Sequence, residues 1–244
     1  MLDETTYYFS AFALDQNNTI IDVQSKSITT EFWWKPWVNT VLYYPLTSTS
    51  TVNDMSWNNR NLINNNVTFW IYQWVDCWYF NARWSSSWLC WLYNPDFHPR
   101  NTADIKTFNV WFYASWNTTY YNPRIMNPIL WAKDKWNKII AWWYNNWDID
   151  GANFNIWEWT NVCFILIDNN HYTVYKDWEL QYSNVYTEGL INNDFITIWT
   201  RGNNATTRWD KWDWWISEII VENKEWTQQE ILNYFNKTKS KYWY

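Results

Sequence analysis

The sequence predicts an all-β protein: a two-sheet antiparallel jelly-roll sandwich with one short C-terminal helix. Short runs rich in Val, Ile, Thr, Tyr and Phe recur along its 244 residues, separated by Asn, Asp, Ser and Trp. A helical period occurs only near the C-terminus. Many short strands with frequent turns are typical of sandwiches and jelly rolls, and this length allows a sizeable core.

The first two predicted strands cover residues 5–14 and 19–30, joined by a polar segment at 15–18. Two strands do not form a stable module alone. The segment 6–13 resembles the penultimate strand of a fibronectin type III domain, and 27–30 resembles its closing strand. We therefore interpret residues 1–30 as the C-terminal strands of such a domain, whose earlier strands precede Met1. Residues 31–40, with Pro36, are the predicted linker.

Six further strands and one hairpin follow. The hairpin covers residues 171–182, where apolar and polar residues alternate on both sides of Asp177-Trp178. Two-residue hairpin turns require positive φ, so Trp178 is expected in a left-handed conformation. The six strand signals lie at residues 40–46, 108–113, 162–167, 172–176, 195–198 and 216–221, and 172–176 is the first strand of this hairpin.

The C-terminal helix is predicted from its first turn. Thr227 and Glu230 form the Thr-x-x-Glu pattern of a capping box. Ile231, Tyr234 and Phe235 then fall on one helical face. Trp226 precedes the cap, where it would act as a hydrophobic staple, so we interpret it as a genuine tryptophan.

The chain contains 27 tryptophans and only three glycines. Trp57, Trp116, Trp147 and Trp178 sit beside Asn, Asp or Ser, in turn-like contexts where glycine is usual. We interpret many of these tryptophans as glycines encoded by UGA, a codon that is read as Trp in some lineages and as Gly in a few others. This would point to a bacterium or its phage. The alternative is a genuinely Trp-rich protein, for instance a sugar binder.

Residues 41–244 resemble a laminin G-like jelly roll of the concanavalin A-like lectin/glucanase superfamily. LYYPL at 42–46 is similar to the opening strand, DMSWNN at 54–59 to an Asp-x-Ser-Gly-Asn turn, and YKDWEL at 175–180 to a strand ending in Asp-Gly-x-Leu. Trp57 and Trp178 stand at the family's glycines. Further similarity in family order lies at 108–111, 164–168, 198–199 and 215–231.

A calcium site is predicted in two acidic loops. Asn146, Asp148 and Asp150 supply oxygen ligands at alternate positions before Gly151, as in the first half of a calcium loop. The bidentate carboxylate expected at position 12 is absent. Laminin G-like domains often bind calcium in a loop at one end of the sandwich, and Asp210 and Asp213 would join the site if the loops meet. The alternative is a solvated turn.

The candidate sugar-binding residues are Tyr120, Tyr121, Arg124 and Tyr144. Sugars bind where aromatic faces adjoin hydrogen-bonding groups, and these tyrosines lie beside Asn and Arg. The alternative is that they only cover the edge of the sandwich.

Several function classes receive no support from the sequence. The paired-carboxylate strand of the superfamily's glucanases and the Gly-x-Ser-x-Gly motif are missing, so we do not expect an enzyme. A net charge of −6 does not favour nucleic acid, and no apolar run is long enough for membrane insertion. Cys77, Cys90 and Cys163 are expected to be free thiols.

The function predicted from these patterns is non-catalytic binding of a glycan or cell-surface polymer, in a bacterial surface adhesin or a phage tail or fibre protein. Such a protein would be extracellular, on the cell surface or on the virion. The alternative is a structural or protein–protein interaction module in a virion or surface assembly, with homo-oligomerisation. Calcium is the one cofactor that the sequence raises.

Overall fold

The structure is a computed structural model that describes about three fifths of the chain in fifteen segments. The chain divides into two compact units, Met1–Lys35 and Pro36–Tyr244. The described residues are 5–14, 16, 20–30, 38–45, 52–65, 67–80, 91–94, 105–114, 124–127, 130–133, 138–141, 152–168, 170–186, 196–198 and 214–242.

The first unit contains one antiparallel hairpin. Its strands are β1 (Thr5–Leu14) and β2 (Ile20–Thr30). Thr5 pairs with Thr30 at one end and Leu14 with Ile20 at the other, with an irregularity next to Leu14. Most of the predicted linker, residues 31–37, lies outside the described residues.

The second unit contains two antiparallel sheets and one α-helix, so the predicted fold class is confirmed. Its strands are β3 (Thr40–Tyr44), β4 (Ile63–Asn65), β5 (Thr68–Tyr72), β6 (Val75–Phe80), β7 (Trp91–Asn94), β8 (Thr107–Ala114), β9 (Arg124–Asn127), β10 (Leu130–Lys133), β11 (Lys138–Ala141), β12 (Ala152–Asn153), β13 (Trp159–Leu166), β14 (His171–Lys176), β15 (Glu179–Tyr186), β16 (Ile196–Ile198) and β17 (Trp214–Glu222).

The strand order places β8, β13 and β17 in the middle of the larger sheet. The eight-stranded sheet runs β15-β14-β13-β8-β17-β6-β5, with β3 also paired to β17. The seven-stranded sheet runs β12-β11-β10-β9-β16-β7-β4. Strand β5 is therefore an edge strand of the larger sheet, next to β6.

The core lies on one face of the larger sheet. Phe108, Val110 and Phe112 alternate along β8 and belong to one buried cluster with Leu92 and Ile198 of the smaller sheet. All eight positions of β8 are buried, however. A strand that is buried on both faces needs a second cover, and the C-terminal helix provides it.

Helix α1 (Gln228–Thr238) starts with the predicted capping box and continues into a 3₁₀ turn, Lys239–Tyr242. Trp111 of β8 stacks on Tyr242 with ring centroids 3.9 Å apart and on Phe235 at 5.8 Å. The Trp111 indole N–H also donates to Thr238 Oγ1 at 3.2 Å. The helix thus packs on the outer face of the eight-stranded sheet.

The residue before the cap has the role expected of a genuine tryptophan. Trp226 is 4% exposed, and its ring lies 5.3 Å from that of Tyr234. Its indole N–H donates to Glu222 Oε2 at 2.5 Å. The indole therefore anchors the start of the helix with both its apolar body and its polar edge.

The predicted hairpin at 171–182 is confirmed. Strands β14 and β15 pair with Lys176 opposite Glu179, leaving Asp177 and Trp178 as a two-residue turn. Both turn residues have positive φ, 49° and 70°. That combination is the requirement of the type I′ turn, which matches the right-handed twist of the flanking strands.

The turn at 54–59 differs from expectation in one respect. The positive φ lies at Asn59, with 52°, and not at Trp57, which is 73% exposed. Asparagine tolerates the left-handed region better than any bulky residue, so the chain reverses there. The Asp54 carboxylate accepts hydrogen bonds from the amides of Tyr43, Ser56 and Arg60, all at 2.9 Å, which fixes this loop onto β3.

Candidate functional site

Most of the predicted site residues lie outside the described residues. This holds for all the sugar-binding candidates except Arg124, which opens β9 opposite Trp131 of β10. The undescribed candidates are Tyr120, Tyr121 and Tyr144 for sugar, and Asn146, Asp148, Asp150, Asp210 and Asp213 for calcium. In the segments that the structure does describe, no group of three or more His, Cys, Asp or Glu is placed to hold a metal ion.

The described residues contain a different candidate, which we call the aromatic cluster: Tyr72, Tyr79, Tyr113 and Trp215. Its members come from four strands of the larger sheet. In the strand register Trp215 of β17 faces Tyr79 of β6 on one side and Tyr113 of β8 on the other. Tyr72 is the last residue of the edge strand β5. The sheet pairing therefore brings together residues that are far apart in sequence.

The rings of the cluster are in direct contact. Trp215 is stacked against Tyr72, with centroids 4.4 Å apart, and against Tyr79 at 4.9 Å. Its edge meets Tyr113 at 5.5 Å and an interplanar angle of 80°. The hydroxyls of Tyr72 and Tyr113 are 3.0 Å apart and hydrogen-bonded.

The cluster combines a buried base with a half-exposed top. Tyr113 is buried, whereas Tyr72, Tyr79 and Trp215 are half-buried. Neighbouring Trp70 on β5 is 53% exposed. Burial and the hydrogen bond to Tyr72 raise the pKa of Tyr113, so this phenol is neutral at physiological pH. The cluster thus exposes parts of the Tyr72, Tyr79 and Trp215 rings above a buried tyrosine.

Further aromatic contacts connect the cluster with the helix interface. Tyr113 contacts Trp159 at 5.7 Å, and Trp159 contacts Tyr242 at 5.1 Å. Lys241 lies beside this end of the row, with its Nζ 5.2 Å from the Tyr242 ring and 3.2 Å from Ser217 Oγ. Trp159 and Tyr242 are buried, whereas Tyr72, Tyr79 and Trp215 at the other end of the row are half-buried.

Two acidic side chains lie under the same helix and have structural surroundings. Glu218 is 5% exposed, and Tyr242 donates to its Oε2 at 3.4 Å. Burial raises the pKa of Glu218, and the nearby Lys241 opposes this effect.

Glu222 is fully buried and accepts a hydrogen bond from Thr40 at 3.2 Å. Burial also raises the pKa of Glu222, opposed by the Trp226 hydrogen bond. Neither carboxyl group is reachable by a substrate in this packing.

The two described cysteines are buried free thiols, as predicted for them. Burial raises the pKa of Cys77 to about 12 and that of Cys163 well above its usual range. Thiolate is the reactive form, so neither residue is suited to nucleophilic chemistry. Cys90 lies outside the described residues.

Sequence reasoning missed the aromatic cluster because it missed strands β5 and β6. Their turn, Gln73-Trp74, has positive φ at both positions, 50° and 67°. It is a second two-residue hairpin turn, with Tyr72 opposite Val75. The signal that could have identified this turn is the one that predicted the turn at Asp177-Trp178: a polar residue followed by tryptophan at a position where glycine is usual.

No protein-family model matches the chain, and no curated protein matches it. Among solved structures, it is similar to the binding domain of Paraclostridial Mosquitocidal Protein 1 (15% identity, TM-score 0.57, covering 81% of this chain and 52% of that one). It is also similar to domain 4 of AbnA, an extracellular GH43 arabinanase from Geobacillus stearothermophilus, in complex with arabinotriose (13%, TM-score 0.54, 80% and 98%). A third is a mutant Trypanosoma rangeli sialidase with trans-sialidase activity (11%, TM-score 0.60, 85% and 34%).

These similarities establish the fold and leave the activity open, because the identities are low. The chain spans about half the length of the toxin binding domain and about a third of the sialidase. It spans nearly all of the arabinanase domain. Among the described residues, no helix has the length and apolar character needed to cross a membrane.

Proposed function

We propose that the second unit is a non-catalytic module that binds a glycan or cell-surface polymer outside the cell, in a bacterial surface adhesin or a phage tail or fibre protein. The observation that carries this proposal is the half-exposed aromatic cluster, with Tyr72 and Tyr79 against Trp215 and the paired hydroxyls of Tyr72 and Tyr113. The proposal is supported by the similar fold of domain 4 of the extracellular arabinanase AbnA, solved in complex with arabinotriose, and of the binding domain of Paraclostridial Mosquitocidal Protein 1.

The cluster suits a sugar for two physical reasons. The C–H groups of a sugar ring pack on aromatic surfaces, which removes apolar area from water without requiring a charge. Neutral hydroxyls both donate and accept, so they match the hydroxyl groups of a saccharide. Because the cluster lies on the face of a sheet and only part of it is exposed, we expect it to bind an extended polymer with several weak contacts rather than a single monosaccharide tightly.

A non-catalytic role is consistent with the burial of Glu218 and Glu222, the two buried acids of the eight-stranded sheet. Retaining and inverting hydrolases need two carboxyl groups on either side of a scissile bond. Glu218 and Glu222 are instead enclosed between sheet and helix. The sequence also lacks the glucanase carboxylate strand.

The residues predicted from the sequence, Tyr120, Tyr121, Arg124 and Tyr144, remain proposed ligands for the sugar, separate from the aromatic cluster. The resemblance to laminin G-like and fibronectin type III domains is part of the same proposal. The calcium site also remains a proposal, with Asn146, Asp148 and Asp150 as ligands and Asp210 and Asp213 joining them if the two loops meet.

The proposal is tested with a glycan array and cell-wall pull-down assays on the full chain. Binding should weaken at least tenfold in Tyr79→Ala, since each stacked aromatic ring is worth about 1.4 kcal/mol or more at a well-packed contact. Tyr93→Ala is the matched control, because Tyr93 is a half-buried tyrosine of β7 in the other sheet. Equal loss in both variants, or no glycan bound by the parent chain, would overturn the proposal.

The structural alternative is favoured by one observation at the sheet edge. Strand β5 is an edge strand with Trp70 53% and Ile71 56% exposed. Exposed apolar edge strands favour pairing with another chain. A homo-oligomer that binds no glycan and dissociates in Ile71→Lys would support a structural module in a surface or virion assembly, and sedimentation measurements would detect it.

A further inference from the structure

Three of the tryptophans that the structure describes occupy a backbone conformation that a bulky side chain resists. Trp74, Trp157 and Trp178 have φ of 67°, 70° and 70°. At positive φ the Cβ of an L-residue is crowded by the neighbouring peptide, at a cost of about 1–2 kcal/mol, whereas glycine has no Cβ and incurs none. Positive φ at bulky residues is therefore a genuine outlier.

The three positions share a local role. Trp74 and Trp178 are each the second residue of a two-residue hairpin turn, after Gln73 and Asp177. Glycine is strongly preferred there. Trp157 lies in the turn before β13, where its amide donates to the Ala114 carbonyl at 2.7 Å. All three turns are thus built for a residue with positive φ.

At the two most exposed positions, side-chain packing does not offset the backbone strain. Trp74 is 86% exposed and Trp157 is 52% exposed. Trp111 and Trp226 are the contrast, because both are buried and both indole N–H groups donate to protein oxygens. The tryptophans thus include one group that the fold uses and another that it does not.

We infer that residues 74, 157 and 178 are glycines in the natural protein, encoded by UGA and inserted by a glycine-charged tRNA that reads this codon. Residues 111 and 226 are encoded by UGG and are tryptophan. The composition agrees, since 27 tryptophans beside three glycines invert the usual ratio. The Asn, Ile, Lys and Tyr content also fits an A/T-rich gene, in which UGA is common.

This inference has a consequence for the surface that would meet a ligand. The natural protein would present no indole at positions 74 and 157. The four residues of the aromatic cluster are not among the reassigned positions. Glycan binding by the natural chain would therefore still depend on this cluster, and the glycine assignment can be tested independently of the proposed function.

The first test is the gene together with peptide mass spectrometry of the protein isolated from its source. We expect UGA at codons 74, 157 and 178, and peptides lighter by one indolylmethyl group at each. Codons 111 and 226 should be UGG. UGG at the three turn codons, or peptides with the printed mass, would overturn the inference.

The second test uses recombinant full-length chains and thermal unfolding. Trp74→Gly, Trp157→Gly and Trp178→Gly should each raise Tm by about 2–4 °C, as relief of turn strain does in a chain of this size. Trp111→Gly, the matched control, should lower Tm by about 6 °C or more because it empties a buried, hydrogen-bonded site. A fall in Tm for the three turn variants would contradict the inference.

Discussion

Two glutamates, Glu218 of β17 and Glu230 of α1, illustrate how the surroundings of a residue set the pKa of its side chain. Glu218 is enclosed by Tyr43, Tyr234 and Tyr242, and burial raises its pKa. For Glu230 of the capping box, burial acts in the same direction, but hydrogen bonds from Lys224 and Thr227 outweigh it and lower the pKa. The same side chain therefore contributes to stability with opposite pH dependence at the two positions.

The first prediction concerns Glu218→Gln. Because the folded-state pKa of Glu218 lies above 4.5, its contribution to stability is fully present below pH 4.5 and is lost as pH rises through the folded value. The amide does not ionise, so the variant avoids this loss. In urea unfolding, the free energy of unfolding of the variant minus that of the parent should increase as the pH is raised from about 4 to about 7. A difference that is constant over this range would contradict the prediction.

The second prediction, Glu230→Gln, has the opposite sign. The lowered pKa means that the ionised capping box stabilises the fold above pH 4.5 and that this contribution is lost as pH falls. Near neutral pH the free energy of unfolding of the parent should exceed that of the variant by about 0.5 kcal/mol. The value is modest because the carboxylate is close to solvent and its interactions are screened. The difference should vanish in acid. Gln229→Ala, at an exposed position of the same helix, is the control.

At the scale of elements, the sequence predicted what is encoded locally. The capping box at Thr227 and the turn at Asp177-Trp178 are short-range signals, and both elements occur as predicted. Strands β4–β7 and β9–β12 were not predicted. Each has only two to six residues, which is too short for a hydrophobic period to distinguish a strand from a loop.

The helix–sheet contact was also beyond local reasoning. The pattern of α1 identified the apolar face of Ile231, Tyr234 and Phe235, but not its partner. All eight residues of β8 are buried, so both faces of this strand are covered. The stacking of Trp111 on Phe235 shows that the apolar face of the helix packs on the Trp111 side of the strand. A helix pattern states which side is apolar, and only the tertiary fold supplies the surface that it covers.

The third prediction tests that contact. Phe235→Ala removes a 4% exposed ring stacked on Trp111 and should lower the free energy of unfolding by about 3 kcal/mol. Hydrogen exchange should accelerate in α1 more than in the hairpin β14–β15, because the helix loses its anchor. Asn236→Ala, on the exposed side of the helix, is the matched control and should change both quantities little.

For the whole molecule, the candidate site shows which functional residues can and cannot be predicted from the sequence. The aromatic cluster joins Tyr72 and Tyr79 to Tyr113 and Trp215 through strand pairing across separations of dozens of residues or more. Aromatic residues are too frequent in this chain to mark these four in advance. The loop candidates were predicted from local chemistry alone, which identifies ligand types without showing that the loops meet.

The last prediction concerns the two compact units, Met1–Lys35 and Pro36–Tyr244. The second contains the core cluster that combines both sheets, so a chain of residues 36–244 should unfold in one cooperative transition. Its Tm should lie within a few degrees of that of the full chain, and its glycan binding should be unchanged. The isolated 1–35 peptide should lack stable structure, because a single two-stranded hairpin is marginal in water. Circular dichroism of both pieces measures this. A 36–244 chain that fails to fold would show that the hairpin belongs to the sandwich, which is incompatible with its interpretation as the end of a separate fibronectin type III-like domain.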